Sequence, residues 1–173
     1  MIRFGPSGNS LSFYEAGFKH TYEAAAWLEK RGLNAYEYSF GRGVHLGADT
    51  AREIGRAMTD HGVAISVHAP YYINFATPEP DKAAASVGYV MDSLAALALL
   101  GGDRCVVHVA AQGKATRAEA MARACERLQS LALLVGAEYP HMKLCLETMG
   151  KHGQMGTPQE IADMCRLSTQ FYP

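Results

Sequence analysis

Three short apolar runs in this chain each end on a residue able to bind a metal ion: Ala64-Ile65-Ser66-Val67-His68, Arg104-Cys105-Val106-Val107-His108 and Lys143-Leu144-Cys145-Leu146-Glu147. The three end residues are separated by 40 and then 39 positions. One strand, one helix and two loops use about that much chain, so the spacing predicts strand ends lying side by side on one rim of a parallel sheet or barrel. Two imidazoles and a carboxylate meeting there are suited to a catalytic zinc or manganese ion with one position open for water. Glu147 carries the most weight, because a carboxylate closing the run Leu144-Cys145-Leu146 is costly to bury unless it is paired or bound to metal. Of the other histidines, His20, His61 and His141 fall on helices or turns, whereas His45 and His152 fall on the same rim and could assist.

The elements that must position these residues alternate along the chain. Ile2–Gly5 reads as a first strand, and His20–Arg31 as a helix with Ala24, Trp27 and Leu28 on one face and Gly32 as its stop. A strand follows over Ala35–Phe40, then a helix over Asp49–His61. After the strand ending at His68, a helix begins near Asp81 and runs to Leu100 before Gly101-Gly102. After the strand ending at His108, Thr116 with Glu119 forms a capping box for a long helix reaching about Gly136. Beyond Glu147, Thr157-Pro158 supplies the N-cap and first residue of another helix.

Five successive βα units without an antiparallel hairpin signal predict an α/β fold with a parallel sheet, either doubly wound or closed into a TIM (β/α)8 barrel. Gly5-Pro6-Ser7-Gly8 is not the glycine pattern of a dinucleotide site, and ligands at three adjacent strand ends favour the TIM barrel. A full barrel needs eight units and about 250 residues. Residues 1–173 are therefore expected to be a single barrel domain that is C-terminally incomplete, supplying about the first five units, with Phe171-Tyr172-Pro173 opening a sixth strand. An open sheet of this kind exposes strand edges and is expected to be a poor catalyst by itself.

Composition narrows the class further. Hydrophobic residues make up 49% of the chain and charged residues 19%, which suits a globular core. The run Leu94–Leu100 is too short to cross a bilayer, and Met1-Ile2-Arg3-Phe4-Gly5 lacks a signal-peptide pattern, so no membrane association and a cytoplasmic location are expected. The formal net charge of −1 gives no global attraction for a polyanion. Arg42, Lys114, Arg117, Lys151 and His152 nevertheless all follow strands on the ligand rim, where phosphate contacts are expected of Arg42, Lys114 and Lys151. Cys105, Cys125, Cys145 and Cys165 recur every 20 residues without a CxxC pair and read as small apolar core residues.

The segment His68-Ala69-Pro70-Tyr71-Tyr72-Ile73-Asn74, with Val106-Val107-His108 and Leu146-Glu147-Thr148, resembles the endonuclease IV family of apurinic/apyrimidinic endonucleases, which belongs to the xylose isomerase-like TIM barrels. The resemblance implies a metal-dependent phosphodiester hydrolase that cuts DNA at abasic sites in base excision repair. It implies more than one zinc ion, with His68 and His108 on one zinc and Glu147 bridging to a second, and Glu147 as the catalytic carboxylate. Tyr71 matches a tyrosine that lies against DNA, and Asn74 closes the same segment. The chain departs from the family where His108 is followed by Val-Ala-Ala-Gln rather than Pro-Gly-Ser, where Glu147 is followed by Thr rather than Asn, and where the first strand lacks a Gly-Ala-His opening. The alternative on the same barrel is a sugar isomerase or epimerase, in which a divalent ion such as manganese or magnesium holds adjacent hydroxyl and carbonyl oxygens and Glu147 is ligand or base. A metal-free binding or scaffold protein is a third possibility.

Overall fold

A computed structural model describes residues 2–172; Pro173, the third residue of the expected opening of a sixth strand, lies outside them. In chain order the elements begin with α1 (Leu11–Glu15), a 3-10 turn (Thr21–Glu23), α2 (Ala24–Glu29), β1 (Ala35–Ser39), α3 (Ala48–Asp60), β2 (Ala64–His68) and α4 (Pro80–Leu100). They continue with β3 (Arg104–Val107), β4 (Ala110–Ala111), α5 (Arg117–Glu138), β5 (Lys143–Leu146), β6 (Gln154–Met155), α6 (Pro158–Cys165) and β7 (Phe171–Tyr172). The main sheet is parallel in the order β1-β2-β3-β5-β7, and β4 pairs antiparallel with β6 in a separate small ribbon. The architecture is an α/β, TIM-barrel-like fold, of which the chain forms an N-terminal partial barrel.

Side chains alternate across the sheet. Tyr36, Ile65, Val67, Cys105, Val107, Leu144 and Leu146 are buried, and they pack in one core with Ile54 and Met58 of α3, Val90, Leu94 and Leu97 of α4, and Leu128 and Val135 of α5. The intervening residues, Glu37, Ser66, Val106 and Cys145, lie half-buried on the opposite face, which is the interior side of a barrel. By length and composition α4 is apolar enough to cross a membrane, but its Val90, Leu94, Leu97 and Leu100 are buried in the core. Its Pro80 at the start and left-handed Gly101 (φ 74°) at the end fix its limits as the sequence suggests. The capping boxes of Thr116 with Glu119 and of Thr157 with Glu160 are both formed.

Three expectations need correction. The predicted first strand, Ile2–Gly5, forms no ladder: Phe4–Gly8 runs beside β1, tied by Phe4 and Pro6 carbonyls that accept from Ala35 and Glu37, with a single bridge at Ser7 and Glu37. Pro6 has no N–H to give, and at Gly5 a Cβ would stand 1.6 Å from the Ala35 carbonyl oxygen, so the segment passes against β1 at a distance only glycine allows. The predicted helix over His20–Arg31 is a 3-10 turn followed by the shorter α2, and α1, capped by Ser10, was not expected. The antiparallel ribbon β4–β6 was also unexpected, since two residues per strand leave no alternation to read.

Candidate metal centre

The register brings the three predicted ligands together. β3 and β5 pair through Val107 and Leu146, so His108 and Glu147 leave the sheet side by side, and the Glu147 N–H donates to the Val107 carbonyl at 3.0 Å. His68 ends β2 opposite Val106. All three residues fall on the half-buried face, and their metal-binding atoms lie within 4.8 Å of one another. The Nε2 atoms of His68 and His108 both approach one oxygen of Glu147, at 3.1 and 2.7 Å, and the two rings stand edge to face with centroids 4.9 Å apart. The Nδ1 of His68 lies 2.9 Å from the Ala69 carbonyl, which accepts a hydrogen bond from that N–H and leaves the Nε2 lone pair facing the cluster.

A metal fits this donor set. Donors about 2.0–2.1 Å from a tetrahedral ion stand a little over 3 Å apart, close to the spacing here, and neutral imidazole with carboxylate is a zinc-type combination. Among the described residues this is the cluster of three donors that meets the spacing for one ion.

The other predicted residues are spread over the loops that follow the strands. Tyr71 and Tyr72 are half exposed with ring centroids 4.5 Å apart, and Tyr89 of α4 continues the row at 6.4 Å from Tyr72. The Tyr72 hydroxyl first, and then the Arg42 guanidinium, draw the Tyr71 phenol below its ordinary value. Asn74 spends its side-chain oxygen on the backbone N–H groups of Ala76 and Ala111, leaving its amide nitrogen for a ligand. Lys114 is exposed in the loop after β4. Lys151 lines a cleft of about 440 Å³ with Gln112, His152 and Gln154. His45 is exposed beside Gly43 and meets none of the three ligands.

Sequence reading missed the Arg117–Glu160 pair. The guanidinium grips both carboxylate oxygens at 2.6 Å, and the N–H groups of Gly156 and Thr157 donate to the same carboxylate. These contacts, Arg117 first, hold Glu160 well below the usual carboxylate range, at about 2. The signal was present in the Thr157-Glu160 capping spacing, but the separation of 43 positions between Arg117 and Glu160 hid the partner. Burial raises all four cysteine thiols, in keeping with structural roles.

The parallel sheet with candidate metal donors at its carboxyl rim is a TIM-barrel-type arrangement. The profile of the family described as xylose isomerase-like TIM barrel matches residues 25–169, and the chain belongs to that family. It is 27% identical over 165 residues to the uncharacterized protein MJ0133 of Methanocaldococcus jannaschii, covering 95% of this chain and 58% of that protein. The fold resembles D-psicose 3-epimerase of Clostridium cellulolyticum H10 (TM-score 0.74, 15% identity, 89% of this chain and 57% of that one). It also resembles endonuclease IV of Thermus thermophilus (TM-score 0.61, 22% identity, 84% of this chain and 54% of that one). The chain thus spans a little over half the length of these relatives.

Proposed function

We propose that this chain carries the first metal-binding part of a phosphodiester hydrolase of the endonuclease IV type, acting on DNA at abasic sites. The observation that carries the reading is the donor set: two imidazole nitrogens converge on one carboxylate oxygen, a nitrogen-rich site that suits zinc, whereas magnesium and manganese sites are built mainly from oxygen donors. A bound zinc ion would polarise a phosphoryl oxygen and lower the pKa of water for attack. The residues themselves do the positioning. His68 is held in one tautomer by the Ala69 carbonyl, and Glu147 keeps its second oxygen free of the two histidines. Tyr71 offers an exposed ring against an unstacked nucleotide, and Arg42 beside it offers a guanidinium to the backbone.

The test is incubation of zinc-loaded protein with a duplex bearing one abasic residue. A nick 5′ of that residue supports the reading; because a partial barrel is expected to be a poor catalyst, the outcome that overturns it is zinc-loaded protein that neither nicks this duplex nor binds it more tightly than an intact one. In the same duplex, Tyr71→Ala should weaken binding by about 1–3 kcal/mol, the usual worth of one stacked base, with zinc content unchanged.

A sugar epimerase is the second reading. It is favoured by the loop after His108, which folds into the β4–β6 ribbon where the sequence departs from endonuclease IV, and by the net charge of −1. Interconversion of a free ketose with a single divalent ion, without DNA nicking, would establish it in place of the first.

A further inference from the structure

We propose that Asn74 is a positioning residue of the metal centre: its side chain ties the loop after His68 to the loop after His108 and so fixes the direction in which His108 enters the cluster. This role rests on the metal-binding part of the reading above and holds whatever the metal acts on.

The sheet stops short of relating the two histidines. The β2–β3 ladder has two pairs, Val67 with Cys105 and His68 with Val106, and beyond them the Ala69 N–H donates to the Val106 carbonyl at 2.9 Å. His108 lies two residues further on, past the end of β3. The two rings also differ in their support. His68 is oriented at Nδ1 by the Ala69 carbonyl, but among the described residues no hydrogen bond forms at the Nδ1 of His108, whose Nε2 faces Glu147 at 2.7 Å. Ligand imidazoles are ordinarily oriented through their second nitrogen. The direction of His108 therefore falls to the backbone that carries it.

Before His108 that backbone is held by β5, through the Glu147 N–H on the Val107 carbonyl. After it, two hydrogen bonds reach the loop that follows His68. The Phe75 N–H donates to the Val109 carbonyl at 3.0 Å, and the Ala111 N–H donates to Oδ1 of Asn74 at 3.2 Å. Asn74 is itself fixed: the same Oδ1 accepts from the Ala76 N–H at 3.0 Å, and the Asn74 N–H donates to the Oγ of Ser86, a buried residue of α4. The Ser86 hydroxyl in turn donates to the Lys82 carbonyl. One side-chain oxygen thus joins a loop anchored on α4 to the strand that continues from His108. Serving both N–H groups takes an acceptor with two lone pairs, which asparagine and aspartate have and an apolar residue of the same size lacks.

Arg127 of α5 supplies the contrast. It secures the same loop by donating to the Phe75 carbonyl at 2.8 Å and to the Thr77 carbonyl, yet among the described residues it forms no hydrogen bond to residues 108–111. Its loss loosens the loop and leaves the bridge to Ala111 in place.

Zinc titration by calorimetry, cobalt(II) absorption and amide exchange, all without DNA, test the role. Asn74→Leu should weaken zinc binding about 10–100-fold, the usual cost of losing a group that orients a ligand, and should shift the visible bands of the cobalt form. Asn74→Asp keeps the acceptor and should return both to wild-type values. Arg127→Met should lower the melting temperature while zinc affinity and cobalt bands stay as in the wild type. In the unsubstituted chain, zinc should slow exchange of the Ala111 amide, because a bridge that favours metal binding is favoured by it in return. That measurement stands even where a variant fails to fold.

Wild-type zinc affinity in Asn74→Leu, an equal loss in Arg127→Met, no recovery in Asn74→Asp, or Ala111 exchange unchanged by zinc each overturns the role. Failure of the hydrolase reading looks different. Zinc binding that depends on Asn74, in a protein that neither nicks nor prefers abasic duplex, removes that substrate and leaves the positioning role standing.

Discussion

Two carboxylates on the same rim, Glu147 and Glu160, meet nitrogen groups at similar distances and do opposite work. Glu160 is gripped by a guanidinium on both oxygens, takes two backbone N–H groups and has only 16% of its side chain exposed. Its charge is matched permanently, because arginine does not lose its proton. Glu147 is 41% exposed and meets only imidazoles, which match its charge only when protonated. With both histidines neutral, the Glu147 cluster presents two lone pairs and a negative charge to one point. The lesson is that the distances around a carboxylate do not distinguish scaffold from site; the nature of the partner does.

The sharpest way to break this comparison is to remove each carboxylate's function in turn. Glu147→Ala should weaken zinc binding by more than about 100-fold, beyond the 10–100-fold typical of partners outside the coordination shell. Isothermal titration measures it directly. The rise in melting temperature that zinc gives the wild type, worth about 2.7 kcal/mol at one hundred times the dissociation constant, should vanish as well. If zinc binds Glu147→Ala as it binds the wild type, the cluster is not the metal centre.

Arg117→Ala should destabilise the fold by about 1.5–3 kcal/mol, because it leaves Glu160 without its charged partner, while zinc affinity stays as in the wild type. Urea unfolding with metal titration checks both halves. The pH dependence sharpens the contrast. Glu160 is held at about 2 in the folded chain against an ordinary 4.5, so the folded state binds its proton more weakly than the unfolded state. Its contribution is therefore complete above about pH 4.5 and is lost as pH falls toward 2. Glu160→Gln should flatten that part of the acid-unfolding profile, which circular dichroism follows. The smallest effect is at the helix cap beside it: Thr157→Ala should cost about 1 kcal/mol in the same unfolding assay, since its hydroxyl accepts from the Glu160 N–H.

The three-donor cluster could be read from sequence because each ligand closes an apolar run and the repeat length of a βα unit is nearly constant; His68, His108 and Glu147 needed no knowledge of the loops. The strands of the main sheet and the long helices α3, α4 and α5 were legible for the same reason, with Gly62 and Gly101 just after α3 and α4 and Thr116 capping the start of α5. What escaped depends on contacts distant in sequence or on runs too short for a pattern. Ala110–Ala111 becomes a strand only because Gln154–Met155 lies opposite it. The role of Arg117 depends on a carboxylate in another unit, and Asn74, expected at the substrate, also binds the Ala111 N–H across the rim. The irregular path before β1 follows from Pro6 and Gly5, whose effect on a ladder appears only when the neighbouring strand is in place.

One further connection on the rim bears on the order in which the molecule assembles. The loop that follows His68 is held by its own βα unit at Asn74, whose N–H donates to Ser86 of α4, but much of it is secured from further away. Its carbonyls at Phe75, Ala76 and Thr77 accept from Arg127 and Arg123 of α5, at sequence separations of 47 to 52 residues. Contacts this distant form slowly, because a long stretch of chain must close before they stabilise anything. On a ribosome the β2 strand can pair with β1 early, yet the loop carrying Tyr71 and Asn74 must wait until α5 has emerged and docked. This side of the rim is thus completed only after α5 docks, and a nascent chain displays its sheet before it displays its rim.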